Sequence, residues 1–228
     1  MNLLVITATQ NEALSLINRL LAKKVSHNKY ISQLNSHTIE FLIAGVGGVF
    51  TTYNLTKHIA ENRPDIIINT GIAGSFDFNI ELGSVVNIIS EEFGDLGFED
   101  DNQFVSFMQS GLIDKNSHPF YNGKIHFSQN NISKTLNELP KKESVCVNST
   151  HGNQESITKF RKHCSAEIEN MEGAACGFVG LSENIDTYEI RAISNYVTKR
   201  NFSEWQINLA IENLTEITYQ IITEICND

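Results

Sequence analysis

LLVITATQNEALSLINRLLA, residues 3–22, decides the fold class. Leu3 to Ala8 is continuously apolar, as a strand buried on both faces reads, rather than alternating. Directly after it, Ala13, Leu14, Ile17, Leu20 and Leu21 recur at helical spacing, which predicts a helix over about 10–22. A buried strand passing straight into a helix is the repeating unit of an α/β protein.

The alternation continues outward from there. Tyr30 to Leu34 and Thr38 to Ala44 read as a hairpin turning at Asn35-Ser36. GVGG (45–48) breaks the pattern and leads into a helix ending near Arg63-Pro64. Ile66 to Asn69 is a second buried strand, running into Thr70-Gly71-Ile72-Ala73-Gly74-Ser75, which has the composition of a tight turn. Ser84 to Ser90 is a third. Residues 91–131, rich in Gly, Asp, Asn and Phe, read as a long loop or insertion with little structure of its own. Val145 to Asn148 is a short strand, 155–163 a helix, Met171 to Glu183 another helix, and Glu189 to Ser194 the last strand. Over 203–225, Ile207, Ile211, Leu214, Ile217, Ile221 and Ile225 form the stripe of a final amphipathic helix. The expectation is one α/β domain over 1–228, with a largely parallel sheet covered on both faces.

Composition narrows the function. The 228 residues carry 17 Lys plus Arg against 27 Asp plus Glu, a formal net charge of -10. That balance argues against nucleic acid as the main ligand, and an anionic small substrate would need a local cation. The four cysteines form no CxxC pair and read as free thiols of a reducing compartment. The seven histidines show no HExxH and no Cys/His ligand spacing, so no metal is expected. There is no GKS/T and no full GxGxxG, so no cofactor motif is visible. With neither a signal-like start nor an apolar run of the ~20 residues a bilayer requires, a cytoplasmic protein without membrane partners is expected.

In open α/β sheets, ligands bind beyond the carboxyl ends of the strands. That rule selects Thr9 to Glu12, Gly71 to Ser75 and Ser194-Asn195, and Glu169 to Glu172 opens a predicted helix beside them. Each residue has an ordinary reading and a chemical one. Glu12 completes a capping box with Thr9, or it is a general base at the sheet edge. Gly71 to Ser75 is a turn, or a backbone that lies against a ligand. Glu172 is a first-turn acid favoured by the helix dipole, or a carboxylate accepting from a sugar diol. Asn195 is a turn residue, or a base-reading amide. Arg191, inside an apolar strand, needs an anionic partner, and a carboxylate near the pocket is the candidate.

ITATQNEA (6–13), IAGVGG (43–48), IINTGIAGS (67–75), ENMEGAA (169–175) and RAISNYV (191–197) together resemble the nucleoside phosphorylase/nucleosidase superfamily, in particular its hydrolytic branch with methylthioadenosine/adenosylhomocysteine nucleosidase. The pieces occur in that family's order. EEFGDLGFED (91–100), the ENMEGAA segment and ISN in place of ISD are most similar to the futalosine hydrolase branch. The resemblance implies a nucleoside phosphorylase-like, three-layer α/β/α fold with a mixed, largely parallel sheet, and a homo-oligomer. It gives Glu12 the attacking water, Glu172 the ribose hydroxyls with Met171 packed on the sugar, and Arg191 a place near the water and carboxylate. Ser194 and Asn195 fall at the purine N7 edge, and Ala73 and Gly74 line the base and ribose pocket.

Asn at 195 departs from the Asp of adenine-specific relatives. Its NH2 suits N7 and a 6-oxo group, so the resemblance implies hypoxanthine as the leaving base. A first turn without Gly or Arg suits water rather than phosphate. The implied reaction is hydrolysis of futalosine to hypoxanthine and dehypoxanthine futalosine, a step of menaquinone biosynthesis. The alternatives are an adenine-releasing nucleosidase, acting on methylthioadenosine/adenosylhomocysteine or aminodeoxyfutalosine, and a non-catalytic nucleoside-binding protein. Lys199 and Arg200 are candidate partners for the substrate's distal carboxylate, Trp205 and the Phe-rich 91–107 segment are candidate lid pieces, and 147–153 is expected in the base wall.

Overall fold

The computed structural model describes residues 1–101 and 103–227. The opening apolar run is β1 (Asn2–Thr7), followed by α1 (Gln10–Arg19), β2 (Lys23–Lys24), β3 (Lys29–Leu34), β4 (His37–Ile43), α2 (Gly48–Glu61) and β5 (Ile66–Ser75). β6 (Val85–Phe93) leads into a separate hairpin, β7 (Gly97–Asp100) with β8 (Gln103–Ser106), and then into β9 (Phe120–Tyr121) and β10 (Lys124–His126). The chain continues through α3 (Lys134–Glu138), β11 (Lys141–Cys146), α4 (Gln154–Phe160), β12 (Ile168–Asn170), α5 (Gly173–Ser182), β13 (Asp186–Tyr196) and α6 (Ile207–Asn227).

Side chains of β1 leave alternately on two faces. Leu3 and Val5 pack with Leu16 and Ile17 of α1 and with Leu214, Ile221 and Ile225 of α6. Leu4 and Ile6 pack with Leu55 and Ile59 of α2 and with Cys176 and Val179 of α5. Both faces are covered, which is why the strand is apolar at every position. The result is the three-layer α/β/α arrangement. No helix among the described residues is long and apolar enough to cross a membrane.

The sheet is mixed. β1 runs parallel to β4 and β5, β5 to β13, and β11 to β6 and β12. Antiparallel pairs join β3 to β4, β12 to β5, β13 to β6 and β10 to β6. Antiparallel pairing is more extensive than the alternation of elements predicts, because β5 has three neighbours: β1 along its start, β12 at its end and β13 along its length. β5, β12, β11, β6 and β13 thereby close into a ring.

Several expectations give way to this arrangement. Thr70 to Ser75 is not a turn, since β5 runs through Ser75. Gly71 is there for close approach: a Cβ would come within 2.5 Å of Arg191 Nη1 and 2.9 Å of Glu12 Oε1. Residues 91–131 are not structureless; they hold the end of β6, the β7–β8 hairpin, β9 and β10. Strands of two to four residues are fixed by their neighbours and leave little periodicity to read. Glu169 to Met171 does not open a helix. Ile168–Asn170 is a strand, and Asn170 Oδ1 accepts from the backbone N–H of Glu172 (3.0 Å) and Gly173 (2.7 Å), capping the helix that starts two residues late. α6 likewise starts at Ile207, after a short 3-10 turn at Phe202–Glu204.

Candidate active site

A cavity of about 410 Å³ opens beyond β1, β5 and β13, a volume suited to a small organic ligand. Its wall includes Glu12, Ala73, Gly74, Met171, Glu172, Ser194 and Asn195. Residues from distant stretches of the chain thus meet at one edge of the sheet.

The capping-box reading of Glu12 holds, and the same residue lines the cavity. Glu12 N donates to Thr9 Oγ1 (3.4 Å), and Glu12 Oε2 accepts from Thr9 N (2.9 Å) and Thr9 Oγ1 (2.7 Å), a full capping box. Oε1 accepts from Ile72 N at 3.1 Å. The start of α1 is therefore tied to β5, and the carboxylate is held in the cavity wall rather than left to rotate.

Glu172 occupies the N-cap position of α5. Its Oε1 accepts from Gly47 N at 3.0 Å, and its Oε2 lies 3.6 Å from Arg191 Nη1. Gly47, at φ +93°, is the GVGG residue whose left-handed backbone turns that N–H onto the carboxylate. Burial raises the Glu172 pKa and nearby Glu12 adds to the rise, while Arg191 and the Gly47 N–H work against it.

Arg191 stands behind Glu172, outside the cavity wall. It is 1% exposed, and its first partner is not a pocket carboxylate but Glu189, two residues away on β13, at 2.6 Å from Nε. Burial opposes its charge, but Glu189 and Glu172 outweigh burial and lift its pKa above the ordinary value. We therefore place Arg191 as a positioning residue for Glu172, rather than a group that touches the substrate.

A fourth carboxyl completes this network. Glu91 is fully buried, hydrogen-bonded by Asn170 Nδ2, and has Glu189 as a neighbouring carboxyl. Burial, and then the neighbouring Glu189, push the Glu91 pKa well above its ordinary value of 4.5. Oε2 of each of these two glutamates has no hydrogen-bond partner, and a proton on Glu91 removes the like-charge repulsion between them. A carboxyl protonated in the folded protein and ionised in the unfolded chain stabilises the fold at low pH. That contribution is lost as pH rises above 4.5, at about 1.4 kcal/mol per unit until the buried proton leaves. Glu91→Gln keeps the acceptor for Asn170 and places a neutral amide beside Glu189 without titrating. Urea melts at about pH 5 and pH 8 are expected to show wild type losing stability over that interval and E91Q losing much less.

Asn195 reaches the cavity through a β-bulge. β13 pairs with β5 as Ile193 with Ala73 and then Asn195 with Gly74, leaving Ser194 as the extra residue. A bulge re-aims the side chain that follows it. Ser194 Oγ lies 2.8 Å from Asn195 Oδ1 and 3.2 Å from Ala73 O. With Oδ1 taken by the hydroxyl, the Asn195 amide presents its NH2, one hydrogen of which goes to Tyr196 O at 3.2 Å.

The rim sorts the remaining candidates. Arg200 and Trp205 line the cavity, whereas Lys199 does not. Arg200 Nη2 donates to Thr150 Oγ1 at 2.7 Å. Among the described residues of 91–107, none lines this cavity; Gly94, Asp95, Glu99 and Phe104 line a second one of about 260 Å³. From 147–153, Thr150 and His151 reach the main cavity. His151 pairs with Glu169, also in the wall, a partnership that sequence reasoning missed. Its one sequence signal is an acid in the otherwise uncharged strand Ile168–Asn170.

Residues 2–223 match the family described as Phosphorylase superfamily. A 5'-methylthioadenosine/S-adenosylhomocysteine nucleosidase of Maridesulfovibrio salexigens is 23% identical, over 97% of this chain and 98% of its own. A futalosine hydrolase of Thermus thermophilus is also 23% identical, over 81% of each chain. The solved futalosine hydrolase of Helicobacter pylori strain 26695 superposes with a TM-score of 0.82 at 15% identity, covering 98% of both chains.

Proposed function

The chain belongs to the phosphorylase superfamily and is an enzyme of its purine nucleosidase type, and on that premise we propose that it hydrolyses the N-glycosidic bond of futalosine and releases hypoxanthine. The carrying observation is Asn195 in the same cavity wall as Glu12 and Glu172, its carbonyl taken by Ser194 and its NH2 left as the donor.

Hydrolysis rather than phosphorolysis follows from charge. Glu12, Glu169 and Glu172 line the cavity, and Arg200 is the one Lys or Arg among the described lining residues. Such a wall repels phosphate and accommodates water. Glu12 takes a proton from the water as it attacks the sugar carbon, on the face opposite the base. Glu172 accepts from the ribose hydroxyls, and Met171 packs against the ring. Asn195 turns its remaining amide hydrogen to the edge formed by N7 and the 6-oxo group as the base leaves with the bonding electrons. Ala73 and Gly74 supply backbone beside the base and ribose, and Arg200 at the rim suits the substrate's distal carboxylate.

Chromatography of the bases released from futalosine, aminodeoxyfutalosine and methylthioadenosine tests the reading. Hypoxanthine from futalosine is expected. Adenine release with futalosine untouched would replace it by the second reading, an adenine-releasing nucleosidase, which the near full-length match to the Maridesulfovibrio enzyme favours. Asn195→Asp should lower kcat/KM for futalosine relative to its 6-amino analogue by at least about 100-fold, because a site built on one hydrogen-bond pattern strongly rejects the other. Val46, Val49, Phe50 and Tyr53 form an exposed apolar face at α2, with Val46 also in the cavity wall. That face supports a homo-oligomer packed beside the site.

A further inference from the structure

Glu169 and Asn195 flank Gly74 in register, one on β12 and the other on β13. Residues in register on adjacent strands project to the same face of a sheet, and two strand spacings separate the outer pair by about 9–10 Å. The row therefore reads carboxylate, gap, amide, and all three residues line the main cavity.

The carboxylate is already committed. Glu169 is 3% exposed. Its Oε2 accepts from His151 N at 3.0 Å, and its Oε1 bonds the His151 ring at Nδ1. A carboxylate only accepts, so Nδ1 carries the proton and Nε2 of the neutral ring keeps its lone pair. Nε2 has no hydrogen-bond partner among the described residues, and it is not a sealed, orphaned atom. The ring is braced by Phe160, 4.2 Å between centroids.

We propose that Glu169 and His151 are a specificity-determining pair for the base, with Glu169 fixing the tautomer and His151 Nε2 accepting the N1–H that a 6-oxopurine has and a 6-aminopurine lacks. The inference rests on the reading above that Asn195 meets N7 and the 6-oxo group. Going round the purine edge, N7 and O6 accept and N1 then donates. In the proposed pose the order is complementary: the Asn195 amide hydrogen not bonded to Tyr196, and then the lone pair of His151, whose ring lines both this cavity and the second one. Adenine would set its N1 lone pair against that of Nε2.

The test uses the full-length protein, free hypoxanthine and adenine, and calorimetry at about pH 8, above the ordinary imidazole range. Wild type should prefer hypoxanthine. His151→Phe keeps an aromatic ring but removes the acceptor. It should weaken hypoxanthine by about tenfold or more, the cost of an unpaired N1–H, and change adenine by less than about twofold. Glu169→Gln can donate to Nδ1 and turn the tautomer, so its hypoxanthine-to-adenine preference should fall by at least about tenfold. Thermal melts report whether each variant is folded, and either folded variant suffices. If wild type prefers hypoxanthine but a folded variant leaves the ratio unchanged, this inference is overturned while the futalosine reading stands. If wild type prefers adenine or binds neither base, both fall.

Discussion

Glu12→Gln lowers kcat by about 10²–10⁴-fold, the range for loss of a general base, while the fold and the affinity for hypoxanthine stay close to wild type. The separation is possible because glutamine also completes a capping box. The amide oxygen of E12Q can still accept from Thr9 N, which keeps the start of α1, while the contact with Ile72 N is given up. What disappears is the capacity to take a proton from water. Single-turnover hydrolysis, base binding by calorimetry and a thermal melt, run on the same preparation, check the three parts. A variant that hydrolyses futalosine at the wild-type rate would remove Glu12 from the mechanism. One that fails to fold would mean that Glu12 serves the cap above all.

Arg191→Met destabilises the protein by about 3–5 kcal/mol, the usual cost of removing one partner from a buried ion pair. Glu189 and Glu172 would lose their counter-charge, and the neighbouring Glu91 has no positive charge to replace it. For a chain of this size the loss is a fall in Tm of about 6–20 °C. The sign of its pH dependence also follows. Without Arg191 the folded-state pKa values of the surviving carboxyls rise, so the deficit should be smaller near pH 5 than near pH 8. The double variant Glu189→Gln, Arg191→Met should recover part of the loss at the higher pH. Equal melting temperatures for R191M and wild type across that range would mean that the network contributes nothing to stability.

The sequence made the layered architecture readable because the strands that matter most are apolar on both faces. Leu3 to Ala8 could be nothing but a buried strand, and the stripe of α6 could be nothing but a core face. Glu12, Glu172 and Asn195, which line one cavity, are legible as candidates because each sits at the end of an element, where the sheet rule places ligands. The illegible parts share a cause, which is that they depend on residues far away in the chain. Gly71 looks like a turn residue until Arg191 and Glu12 are seen to fill the space of its side chain. Arg191 advertises a buried charge but not that its nearest anion is on its own strand. His151 and Glu169 are 18 residues apart, and only the pairing of β12 with the end of β5 brings Glu169 into the cavity wall. The β7–β8 hairpin is too short to show a period, and its aromatic residues suggested a lid over the wrong cavity.

The capping box has an operational consequence. One carboxylate both fastens the first turn of a helix and is proposed to draw the proton from water. Fraying of that turn, a motion available to any helix end well below global melting, would switch catalysis off without unfolding anything else. Such an enzyme would report the health of a single backbone hinge, falling silent in warm solution while every bulk probe still recorded an intact protein.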